Sequence, residues 1–118
     1  METVSEKKMR YRQIVQALLT QLTAGTSLEP EVEDHTLFDT QQDRYAVIAN
    51  GWDSETRVNF IVAHIEIIGD KVWVQADNTD VAIARELEQA GVANDDIVLG
   101  FRQFAVRPAM PVMEALAA

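Results

Sequence analysis

The chain has 118 residues, 19 acidic against 10 basic and a net charge of −9, with no cysteine. That length suits one domain burying about two-thirds of its unfolded surface. The missing cysteines exclude disulfides and thiolate metal sites and fit a reducing compartment, while the acidic balance repels phosphate backbones. No apolar run approaches the roughly 20 residues of a membrane span, and Met1-Glu2-Thr3 opens acidic and polar rather than as a signal sequence, so the expected location is the cytoplasm.

Residues 1–12 invert the overall charge, with Lys7, Lys8, Arg10 and Arg12 against Glu2 and Glu6, a local +2 that leaves −11 on the remainder. This short basic face is the candidate nucleic-acid contact. Its bland reading is a solvated helix surface. Thr3-Val4-Ser5-Glu6 has the spacing of a capping box. Behind it, Tyr11, Ile14, Val15, Leu18, Leu19 and Leu22 recur at three and four, the stripe of a helix with one buried face, and Gly25 is a natural stop.

Ser27 to His35 carries Glu29, Glu31, Glu33 and Asp34 around Pro30 and reads as an exposed connection. A run of carboxylates does not by itself converge on a cation, so a solvated loop is favoured over a metal site. Thr36 to Asp39 reads as a short edge strand. Thr40 to Asp43 then leads into the strand Arg44–Trp52.

The stretch Arg44 to Asp77 organises the chain, with three runs dense in β-branched and aromatic residues and no proline, an antiparallel meander. In Ile68-Gly69-Asp70-Lys71 glycine stands first in a two-residue loop, where strand twist demands positive φ. The implied register sets Ile68 against Lys71, Ile67 against Val72, Glu66 against Trp73, Ile65 against Val74, His64 against Gln75 and Ala63 against Ala76. A loop at Asp53–Thr56 sets Ile48 against Ile61 and Tyr45 against His64. One face then gathers Ile61, Ala63, Ile65, Ile67, Val72, Val74 and Ala76 as a core. The other gathers Tyr45, Val47, Ala49, Phe60, Val62, His64, Glu66, Trp73, Gln75 and Asp77, and Tyr45, Val47, Phe60, Val62, His64, Glu66, Trp73 and Gln75 are its candidate partner-binding residues. A solvated face carries more charge, so this one is expected to meet a partner or a second copy, with the C-terminal tail as the alternative cover.

Asn78-Thr79-Asp80 offers caps for a helix Val81–Ala90, buried through Val81, Ala84, Leu87 and Ala90 and closed by Gly91-Val92. Ile97-Val98-Leu99 reads as a fifth short strand or a buried extended segment. Two helices and four to five strands give a two-layer α+β domain over residues 1–118, with 1–8 and 107–118 as peripheral tails.

Chemistry-bearing motifs are sparse. The five glycines are too scattered for a phosphate loop, the three serines form no nucleophile elbow, and His35 and His64 alone do not make a zinc site. No cofactor, metal or catalytic residue is expected. His64 can be read as a general base or as a histidine bonded to Gln75 or Tyr45, and the second is favoured because no nucleophile or oxyanion donor stands ready. Trp52 and Trp73 can be interface anchors or ordinary core.

The succession Gly51-Trp52, Arg57, His64-Ile65-Glu66-Ile67, Lys71-Val72-Trp73-Val74-Gln75, Ile83-Ala84, Glu86-Leu87, Gly91-Val92 and Asp96-Ile97-Val98-Leu99-Gly100-Phe101, preceded by Tyr11-Arg12-Gln13-Ile14-Val15, resembles the XisI family over about residues 9–106. That family is named for a factor controlling excision of the fdxN element. The resemblance implies a non-enzymatic accessory protein in programmed DNA rearrangement during heterocyst differentiation, acting beside a site-specific recombinase and a XisH-like protein. It also implies an alternative, an antitoxin-like binder of a XisH-like partner. No catalytic motif comes with it. The connection from Phe101 to Val106 looks shorter than the family pattern, and the proline-containing tail looks additional.

Overall fold

A computed structural model describes residues 2–23 and 31–102. The first helix, α1 (Val4–Thr23), starts from the expected capping box: the Glu6 N–H donates to Thr3 Oγ1 at 3.1 Å and the Thr3 N–H to Glu6 Oε1 at 3.4 Å. Residues 4–8 are thus helical rather than a peripheral tail. Tyr11, Val15 and Leu19 are fully buried, flanked by Ile14, Leu18 and Leu22, as the stripe requires. Gly25 and the segment 103–118 lie outside the described residues, and with them the expected helix stop and tail.

Five strands follow: β1 (Val32–Asp39), β2 (Arg44–Asp53), β3 (Thr56–Ile68), β4 (Lys71–Asp77) and β5 (Ile97–Leu99). They pair in that order, antiparallel from β1 to β4, with β5 parallel to β4. β1 begins four residues earlier than its charges suggest. On a border strand most side chains stay in water, so Glu33, Asp34 and His35 do not oppose extended pairing. Between β4 and β5 stands α2 (Ile83–Ala90), buried through Ile83 and Leu87. The helix starts two residues later than expected, leaving Val81 exposed. Its first turn is held by Asp77 from the end of β4, which accepts from the Ile83 N–H at 2.9 Å, rather than by Asn78, Thr79 or Asp80. Gly91 closes it in a left-handed conformation (φ 119°) and sends the buried Val92 back over Leu87, whose carbonyl accepts the Val92 N–H at 2.9 Å.

Two bulges correct the expected strand register. At the β3–β4 hairpin Gly69 has φ 63°, and the four pairs nearest it, Ile68–Lys71 through Ile65–Val74, form as expected. Gln75 then bulges, so His64 meets Ala76 and Ala63 meets Asp77. In the β2–β3 hairpin Ile48 meets Ile61 as expected, but Val62 is an extra residue, and Tyr45 meets Ile65 instead of His64. Because strand side chains alternate, that one residue exchanges faces on one side of the bulge. Tyr45, Val47 and Ala49 therefore lie under the helices with Ala63, Ile65, Ile67, Val72 and Val74, while Ile61, expected in the core, is 43% exposed on the opposite face. Both helices cover one side of the sheet, and among the described residues the other side carries no helix.

Gly51 admits β1 to β2. A Cβ there would collide with the Glu31 carbonyl and the Val32 Cα, main-chain atoms that cannot rotate away. Gly51→Ala is expected to cost about 1–2 kcal/mol through this overlap, read as a lower urea midpoint at unchanged slope.

Candidate interaction face

The four basic residues of α1 keep about a third of their side chains in water, yet each has an acidic partner within the protein. Asp43, 3% exposed and at φ 55°, receives a two-pronged contact from Arg12 (Nε to Oδ1, 2.6 Å; Nη2 to Oδ2, 3.0 Å), a bond from the Tyr45 hydroxyl at 2.8 Å, and Lys8 at 3.5 Å. On the other side of the helix, Asp96 is 5% exposed and accepts from the Tyr11 hydroxyl at 2.6 Å, Lys7 at 2.6 Å and Lys71 at 3.1 Å. Arg10 grips Glu2 at 2.8 Å and the Gly91 carbonyl at 2.7 Å. Burial by itself raises both aspartate pKa values, but the donors outweigh it. Arg12 and Tyr45 hold Asp43 below 3.8, and Lys7, Tyr11 and Lys71 hold Asp96 at about 2. Burial and then the Asp43 carboxylate push Tyr45 to about 12. These two ionic clusters clamp α1 onto the sheet, so Lys7, Lys8, Arg10 and Arg12 have partners inside the protein rather than forming a free cationic strip.

The helix-free side of the sheet is built differently. The β1–β2–β3 register makes cross-strand rows of His35–Ile48–Ile61, Leu37–Ala46–His64 and Asp39–Arg44–Glu66. The first two rows put Leu37 (54% exposed), Ile61 (43%), Ala46 and Ile48 side by side. Beyond a polar Glu33–Asn50–Asn59 row stands Trp52, half exposed, with the Arg57 guanidinium 5.5 Å from its ring. The third row alternates in charge. The patch is apolar with a polar border, the composition of a surface that meets another protein.

The expected partner-binding residues divide between the two sides. His64, Glu66 and Trp73 are on the helix-free side. Tyr45 and Val47 are sealed beneath the helices, and Phe60, paired with Ala49, is on the helix side though half exposed. Val62 and Gln75 are the bulge residues. Trp73 is 1% exposed, its Nε1–H without an acceptor among the described residues, so it is interior and Trp52 is the exposed indole. His64 Nε2 stands 2.9 Å from Glu66 Oε2 and is flanked across the strands by Ala46 and Ala76, neither of which offers a nucleophile. Among the described residues no group of three or more His, Asp or Glu side chains is arranged to hold a metal, and no helix is long and apolar enough to cross a membrane. Leu37, Ala46, Ile48 and Ile61 are the face residues that pattern reading misses. Their signal is the alternation of β2, which becomes readable once Val62 is recognised as an extra residue.

The family model for XisI protein matches residues 5–111. Among solved structures, a XisI-like protein from Anabaena variabilis shares 33% sequence identity, with a TM-score of 0.75 over 80% of this chain and 86% of that one. The fdxN element excision controlling factor XisI from Anabaena variabilis shares 32% identity, with a TM-score of 0.71 over 83% of this chain and 95% of that one. No curated protein matches the sequence.

Proposed function

The chain belongs to the XisI family, and from that premise we propose that it is a non-catalytic accessory factor in excision of a DNA element, docking a protein partner on its helix-free sheet face. The partner in this reading is a XisH-like protein, with a site-specific recombinase completing the assembly. The observation that carries it is the contiguous patch of exposed Leu37 and Ile61 with half-buried Ala46 and Ile48, and Trp52 exposed beyond the neighbouring asparagine row. Such a patch on a monomer is costly to leave wet and supplies the apolar centre that interfaces need. Charge supports protein-mediated action over direct DNA contact, because the chain is −9 overall and its basic helix residues neutralise Asp43, Asp96 and Glu2.

Titration of the purified protein against a XisH-like protein tests the reading. Micromolar or tighter association is expected, weakened about tenfold or more by Ile61→Asp, which buries a charge at the patch centre while sparing the core. Absence of association, together with a salt-dependent shift of duplex DNA, would favour the direct-binding alternative instead.

A further inference from the structure

β1 borders the sheet, and among the described residues its outer side pairs with nothing. The Trp52 N–H donates to the Glu31 carbonyl at 3.2 Å, which fixes the phase of the ladder. Odd-numbered residues of β1 aim their main-chain groups at β2, and Val32, Asp34, Thr36 and Phe38 aim theirs outward. The strand has no proline, no lysine and no bulge to blunt its border; its protective charges are Glu33, Asp34 and Asp39, which any pairing has to keep apart from one another. We propose that this border pairs antiparallel with β1 of a second copy, centred on Leu37.

The side chains select that register. Centring on Thr36 sets Glu33 against Asp39. Centring on His35 sets imidazole on imidazole and Asp39 against Glu31, and centring on Asp34 or Glu33 stacks like carboxylates. Centring on Phe38 sets Leu37 against Asp39. The Leu37 register, like the Phe38 one, opposes apolar to apolar on the axis, and it alone places His35 against Asp39, the last residue of the strand, on either side of it. The outward-facing Thr36 and Phe38 then exchange main-chain hydrogen bonds in each half of the interface. Leu37 and His35 fall at non-hydrogen-bonded positions, where side chains approach closest. Leu37 is 54% exposed and becomes covered, and the helix-free faces of the two copies join into one continuous surface.

Sedimentation of the full chain at about 50 μM is expected to show a dimer. Thr36→Pro removes an outward N–H without touching the β1–β2 ladder, and is expected to give a folded monomer with unchanged circular dichroism. In this cysteine-free protein Leu37→Cys is expected to form a disulfide-linked dimer on mild oxidation, whereas Thr36→Cys and His35→Cys remain unlinked. A monomeric wild type, a dimer that survives Thr36→Pro, or linkage at 35 or 36 instead of 37 overturns the proposal. If Thr36→Pro fails to fold, the three cysteine variants decide it alone.

Discussion

Replacing Asp43 with alanine is expected to destabilise the protein by about 3 kcal/mol, a fall in Tm of about 10 °C. The carboxylate is 3% exposed and neutralises Arg12 while accepting from the Tyr45 hydroxyl, itself fully buried. Its removal strands a buried hydroxyl without an acceptor and leaves a guanidinium without its counter-ion. The Arg12 side chain is 33% exposed and can recruit water, which keeps the loss at the lower end of the range for broken buried pairs. The substitution also puts alanine at φ 55°, where aspartate is tolerated better. Asp43→Asn separates the two contributions, since asparagine accepts that conformation but carries no charge. Thermal melting by circular dichroism reads both variants, and a melt indistinguishable from wild type would show that the cluster is dispensable.

The second large effect is on pH dependence. Asp96 titrates at about 2 in the folded chain against 3.8 for an ordinary aspartate, and Asp43 shifts in the same direction. A depressed folded pKa means that the stabilisation is present above the ordinary value and lost as pH falls through the folded one. Tyr45 moves the other way, from 10.0 to about 12, so its contribution is present below pH 10 and lost as pH rises towards 12. Urea midpoints are expected to be level from about pH 5 to 9, to fall between about pH 4 and 2, and to fall again above pH 10. The Asp96 shift alone corresponds to about 2 kcal/mol of the acid limb. Asp96→Asn should start lower at neutral pH and flatten that limb. An acid limb of undiminished size in that variant would place the titrating group elsewhere.

Local chemistry made much of this fold readable. The Thr3–Glu6 capping box, the Gly69 turn, the Gly91 helix end and the Tyr11–Leu22 stripe each rest on neighbours in sequence, and each stands where expected. The faces of the sheet were less legible because alternation carries a parity error through every residue past an unmarked bulge. Val62 and Gln75 bear no glycine or other sign of their role. One extra residue at Val62 moved Tyr45 and Val47 into the core and brought Ile61 out of it. The ionic clamps were invisible for another reason. Tyr11 and Asp96 lie 85 residues apart, and Arg12 and Asp43 lie 31 apart, so nothing local distinguishes those aspartates from the solvated ones. A basic helix start therefore looked like a nucleic-acid contact until its partners were in place. Residue succession was more informative than pattern for family membership.

The claim that the helix-free sheet face is where a protein partner docks is tested most directly by site-specific photo-cross-linking. A photoreactive side chain is placed at Ala46, on the exposed patch, or at Ala17, in the groove between the helices lined by Ile14, Leu18 and Glu86. In the presence of the proposed partner, a XisH-like protein, covalent capture from position 46 and none from position 17 is the expected result. Capture from 17 with none from 46 would contradict the account.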